Sequence, residues 1–164
     1  MKQMTRLILV CSATLAMFLS TGSAAFAQQP QDEIRRILTE DYKQADQAGD
    51  VDAKMRLYGA DAVLLPAEGE PVVGFQAVRM WHVAEYARAA SQLSTTVDEV
   101  QMFGNWAFAR GSWSGTMTPK AGGDAKQETG KFLVLFRRLP DGGSWRIARE
   151  IWNGQEQPAT GDLK

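Results

Sequence analysis

Six side chains in the 164-residue sequence pair a useful chemical group with a place in a regular element: Tyr42, Trp81, Arg110, Trp113, Glu150 and Trp152. Three indoles and a phenol supply flat apolar surface, while one guanidinium and one carboxylate supply placed charge. That mixture lines pockets for small, partly apolar molecules. Chemistry beyond binding needs a proton acceptor, and Glu150 is the carboxylate in the set. Buried in such a pocket it would hold its proton more tightly and serve as a base, with the Tyr42 hydroxyl donating to an oxygen that gains charge. A plainer reading stands beside this one: the tryptophans are core or subunit contacts, and Arg110 and Glu150 pair with charges on neighbouring strands.

Other chemistries lack their residues. His82 is the only histidine, and its helix neighbours Gln76, Arg79 and Glu85 place it on a solvent-facing side, with no functional role. His, Asp and Glu nowhere show metal-ligand spacing, and no glycine-rich loop leads from a strand into a helix, so no cofactor is expected. The chain carries 18 basic and 19 acidic residues without a basic run, which argues against nucleic acid or anionic membrane as a partner.

The N-terminus reads as an export signal. Lys2 and Arg6 precede an apolar run over 7–19, and Ala25-Phe26-Ala27 fits a small-x-small cleavage site, so the expected mature chain starts at Gln28 in the periplasm or outside the cell. That run falls short of the ~20 apolar residues of a membrane span. Cys11, the only cysteine, lies inside it behind Val10, where a lipoprotein signal would carry a small residue, and is removed with it. Taking the first 27 residues from 164 leaves 137, and losing Lys2 and Arg6 leaves 16 basic against 19 acidic groups, a net charge of −3. This is one domain (28–154) with a flexible tail (155–164), without cysteine chemistry.

The elements that must position the six side chains are organised around 130–153. Phe132 to Phe136 are apolar without a break, a Pro-Asp-Gly-Gly turn comes next, and Trp145, Ile147, Ile151 and Trp152 return. Such a hairpin is apolar on both faces, so helices should cover one side and a second copy of the chain the other, predicting a homodimer. Upstream, the spacing predicts a helix over 32–48 ended by Gly49, a second over 51–58 capped by Asp50, a small hairpin around 62–73, and a third helix over about 75–92 burying Ala77, Met80, Val83, Ala84, Ala87 and Ala90. A strand over 97–103, a Gly104-Asn105 turn and a strand over 106–118 then join the central hairpin as an antiparallel meander, with Gly111, Gly115 and Gly130 as kink points. On the 106–118 strand, Arg110 and Trp113 point to opposite faces, and the alternation does not say which set is inward. Arg149 and Glu150 alternate likewise.

Three helices, a small hairpin and a curled meander, together with Ala48-Gly49-Asp50-Val51-Asp52, YGADAVLLP at 58–66, Val73-Gly74 and the ending SWRIAREIWN, resemble the nuclear transport factor 2-like superfamily. Within it the chain looks like the SnoaL-like branch, which includes ketosteroid-isomerase-like and domain-of-unknown-function 4440 proteins. The resemblance implies a cone-shaped α+β domain, three N-terminal helices packed on a curled antiparallel sheet, with a pocket between them and dimers through the outer face. The isomerase-like members use an aspartate base, with a tyrosine and a protonated aspartate at the enolate oxygen. Tyr42 falls where that tyrosine stands, but the base position falls at about Leu65 or Pro66 and the second acid near Val134. Limonene-epoxide-hydrolase-like members use an Asp-Arg-Asp set, and Arg110-Gly111-Ser112 lacks the second acid. The expectation is therefore a small-molecule-binding domain without an assignable catalytic apparatus, the alternatives being an isomerase, cyclase or hydrolase built on Tyr42 and Glu150, and an assembly module.

Overall fold

The computed structural model describes residues 30–156; the expected export segment, and the tail beyond 156, lie outside them. The first helix, α1, spans 30–48, with a widened π turn over Ile37–Asp41 before the regular stretch Tyr42–Ala48. A π turn inserts one residue into the helical repeat and rotates the later turns relative to the earlier ones. Ile34, Ile37, Leu38, Ala45 and Asp46 all end up buried. Gly49 stops α1 in the left-handed conformation (φ 61°), its N–H donating to the Ala45 and Asp46 carbonyls. The Asp50 side chain then accepts from the Ala53 N–H and starts α2, Val51–Met55.

The helix expected to run to 58 stops at Met55, and Tyr58 opens strand β1, Tyr58–Leu65. Its hairpin partner β2 is Val72–Val73. Helix α3, Phe75–Arg88, ends before 92, because Ala89–Phe103 forms the long strand β3, whose first residues pair with Pro119, Thr118 and Met117 of β4 (Trp106–Pro119). Strands β5 (Lys126–Arg138) and β6 (Trp145–Trp152) complete the antiparallel meander. Past Asn153 the chain adds β7 (Gln155–Glu156) on β5, so the expected tail begins as a strand. The sheet order β2-β1-β6-β5-β4-β3 is open at both ends, and it is mixed, because β1 joins β6 in parallel.

The face of α3 is the reverse of the expected one. Val78 and His82 are buried and Phe75 and Trp81 pack on the core, while Met80 is 63% exposed and Val83 38%. Alanine offers little apolar area, so the alanine stripe is left in water and the aromatic stripe seats against the sheet.

Two bulges shape the antiparallel meander. Asp98 is extra in β3 between Val97 and Glu99, opposite Gly111; a Cβ on Gly111 would run into the Thr96 carbonyl, so only glycine permits this approach. Ala148 is extra in β6, where Leu135 pairs with Arg149 but Phe136 pairs with Ile147. Were Ala148 paired as a regular strand residue instead, alternation would put Glu150 on the face opposite Trp145 and Ile147. With the bulge, Trp145, Ile147, Ala148 and Glu150 are all buried.

Candidate functional site

Glu150 lies under the helices with 6% of its surface exposed, beside Val134 in the β5–β6 ladder. Two phenols hold its carboxylate. Tyr42 on α1 donates to Oε1 at 2.9 Å, and Tyr58 at the start of β1 donates to Oε2 at 2.5 Å. Behind them, α1 and α2 bring together a buried ion pair: Lys54 Nζ is 2.7 Å from Asp46 Oδ1, and their side chains are 0% and 5% exposed. The Lys54 ammonium also sits 2.8 Å from the centroid of the Tyr42 ring. From α3, Tyr86 donates to the same Asp46 oxygen at 2.5 Å. His82 closes the group, its ring 5.4 Å from Tyr58 and 5.0 Å from Trp81.

Burial sets the electrostatics. It pushes the Glu150 carboxyl above the ordinary carboxylate range, although the Lys54 charge and the two tyrosine hydrogen bonds pull the other way. The Tyr42 and Tyr58 hydroxyls are raised by burial and by the Glu150 charge, so both are donors at any physiological pH. Burial lowers Lys54, opposed by Asp46, and lowers His82 to about 2 with help from Lys54, which keeps the imidazole neutral. Within the cluster the single ammonium is taken up by Asp46, so ionising Glu150 leaves one net negative charge indoors. A carboxyl in that position is a reluctant acid and a willing base.

The sequence-derived set divides. Tyr42 and Glu150 touch. Trp81 and Trp152 are half-buried on the same side of the sheet, edge to face with centroids 5.6 Å apart. Trp113 faces inward too, but four residues along β4 from Ala109, the neighbour of Val134; its indole donates to the Asn153 carbonyl, beside a hollow of about 430 Å³ at the far end of the sheet. Arg110 is on the outer face, held by Glu99 at 2.6 Å and Asp98 at 3.6 Å, so it does not belong with the interior group. His82, expected in solvent, is buried in this cluster. The sequence pattern alone does not single out Asp46, Lys54, Tyr58 or Tyr86. Asp46 shares a helical face with Tyr42, four residues earlier, and Tyr86 shares one with His82; those spacings are the available signal. Among the described residues, no three His, Cys, Asp or Glu side chains are grouped to hold a metal.

A family model described as the SnoaL-like domain matches residues 39–149. The chain belongs to the SnoaL-like domain family. Its matched region contains Asp46, Lys54, Tyr58, His82 and Tyr86 and ends one residue short of Glu150. This SnoaL-like chain is similar in structure to a conserved protein from Planctomyces limnophilus DSM 3776 (TM-score 0.72, 22% identity, 79% of this chain and 99% of that one). It is similar to a ketosteroid isomerase-like protein from Erwinia carotovora atroseptica SCRI1043 (TM-score 0.68, 25% identity, 79% and 95%). It is also similar to a nuclear transport factor 2-like superfamily protein from Salmonella enterica serovar Typhimurium LT2 (TM-score 0.65, 18% identity, 86% and 99%). No curated protein sequence matches the chain.

Proposed function

We propose that this SnoaL-like protein moves a proton on a small, partly apolar carbonyl compound, as an isomerase or a close chemical relative, with Glu150 as the base. The observation that carries the reading is the desolvated Glu150 carboxylate gripped by two tyrosine hydroxyls. In the reaction Glu150 takes a proton from the carbon beside the carbonyl, and the electron pair moves onto the carbonyl oxygen. Tyr42 turns its hydroxyl from Glu150 to that oxygen, while Tyr58 stays on the carboxylate and fixes its aim. Return of the proton to a different carbon completes an isomerisation with no external reagent. The likeness to a ketosteroid isomerase-like protein supports this class of reaction. The family's acid position at Val134 is apolar here, but the residue across the ladder from it is Glu150.

The test is deuterium uptake. Cyclic ketones and enones are incubated with the protein in deuterated buffer, and NMR tracks exchange beside the carbonyl. Wild type should accelerate exchange on at least one of them, and Glu150→Gln should lose about 10²- to 10⁴-fold of that acceleration. No acceleration across the panel, or equal rates for the variant, overturns the proposal.

Assembly into a homodimer is a separate proposal, supported by apolar side chains on the outer sheet face, where Trp106 is 36%, Leu133 40% and Ile151 46% exposed. The pattern of residues 1–27 supports export, which mass spectrometry of protein made in a secreting host would check by a mature mass starting at Gln28.

A further inference from the structure

A second site, apart from the interior cluster, is a surface hollow of about 370 Å³ between α2, the first turns of α3 and the start of β6. Three guanidinium groups line it: Arg56 just after α2, Arg79 on α3 and Arg146 on β6. One carboxylate accompanies them, Asp52, paired with Arg79 at 2.8 Å. Arg146 is anchored by donating from Nη1 to the Trp145 carbonyl at 3.0 Å, which leaves its other donors to spare. Other described arginines are matched by nearby acids: Arg36 by Asp41, Arg88 by Glu85, Arg137 by Asp61, and Arg110 by Glu99 and Asp98. Here three cations share a wall with one anion, giving the hollow two net positive charges in a chain whose overall charge is −1. Converging like charges repel, and an anion between them relieves that repulsion.

The hollow is also lined by Met55 and by two aromatic residues, the half-buried Phe75 and Tyr58, which is 3% exposed and turns its hydroxyl away to Glu150. We propose that this hollow binds a small organic anion: a carboxylate or phosphate group taken by Arg56, Arg79 and Arg146, carried on an apolar body that packs against the half-buried Phe75. Guanidinium forks bind both oxyanions in two-pronged fashion, and the Phe75 contact distinguishes an organic ligand from the bare ion. The site shares only the Tyr58 ring with the interior cluster, so it stands whether or not Glu150 transfers protons.

Calorimetry with phenyl phosphate, benzoate, inorganic phosphate and benzyl alcohol tests it on the folded protein. Phenyl phosphate or benzoate should bind saturably and more tightly than inorganic phosphate, with benzyl alcohol not binding; the tighter of the two names the preferred oxyanion. Arg56→Gln and Arg146→Gln should each weaken binding roughly tenfold, while Arg88→Gln, at the far end of α3, should not. Arg56 is exposed, so its variant keeps the fold and keeps the test decisive. Lack of saturable binding at millimolar ligand, benzyl alcohol binding as well as the anions, or wild-type affinity in both arginine variants would overturn the proposal.

Discussion

Replacing Lys54 by Met probes the interior cluster most sharply. The two side chains are close in length, so the apolar stem survives and the ammonium is lost. Lys54 has no exposed surface and Asp46 has 6%, and the Asp46 Oδ2 atom has no hydrogen-bond partner among the described residues. Without Lys54, that carboxylate keeps one hydrogen bond, from Tyr86. Breaking a buried pair from one side costs about 3–5 kcal/mol, a large part of the roughly 5–15 kcal/mol that keeps a domain folded. Removing both charges in Lys54→Met/Asp46→Leu should recover most of the loss, leaving about 1–3 kcal/mol for the unpartnered Tyr86 hydroxyl. Adding Tyr86→Phe should recover that as well. Urea unfolding monitored by tryptophan fluorescence reads all three, with circular dichroism as a check on the fold. The single variant within about 1 kcal/mol of wild type, or the double variant less stable than the single, would refute the reasoning. The same change should raise the pH at which exchange activity appears, because the Lys54 charge is the largest of the influences that lower the Glu150 carboxyl against burial.

The same geometry sets four other outcomes. Because burial raises Glu150 in the folded state, its carboxyl contributes stability that is full below the ordinary carboxylate range and lost as pH rises through the raised folded value. Glu150→Gln should therefore gain melting temperature relative to wild type as pH rises above the ordinary carboxylate range, while losing activity. Tyr58→Phe removes a donor that lowers the Glu150 carboxyl, so its pH–rate profile should shift upward, with a larger loss in kcat than in KM. Gly130→Ala should destabilise the fold by about 1–3 kcal/mol in urea titrations, since its Cβ would meet the Asn153 carbonyl and the Trp113 indole. On the outer face, Leu133→Glu should turn a sedimenting dimer into a monomer without changing the circular dichroism spectrum.

Much of the architecture could be read from the chain because strong local signals agreed with it. The unbroken run from Phe132 to Phe136 declared a strand, Gly104-Asn105 a tight turn, and Gly49 with Asp50 the end of one helix and the cap of the next. What stayed hidden depends on long-range fit. Alternation along β6 assigns Glu150 and Ile147 to opposite faces, and only the extra residue at Ala148, set by pairing with β5, turns both inward. On α3, the alanine stripe and the Phe75–Val78–His82 stripe are both periodic, and the sheet chose the larger side chains. Lys54 has the pattern of a surface lysine because its partner Asp46 lies on another helix, across the Gly49 turn. Tyr42 and Glu150 each stand out by type and place, but their contact spans 108 residues, and no spacing rule reaches that far.

The claim on which the proposed chemistry turns is that the Glu150 carboxyl sits in a dry, two-phenol cradle and gives up its proton late. Its titration can be tracked directly by carbon-13 NMR of protein labelled at the glutamate side-chain carboxyl, with Glu150→Gln identifying the resonance. The expected midpoint is clearly above the ordinary carboxylate range, together with deuterium exchange that rises over the same pH interval. A midpoint at or below the ordinary range, with exchange indifferent to it, would contradict that claim.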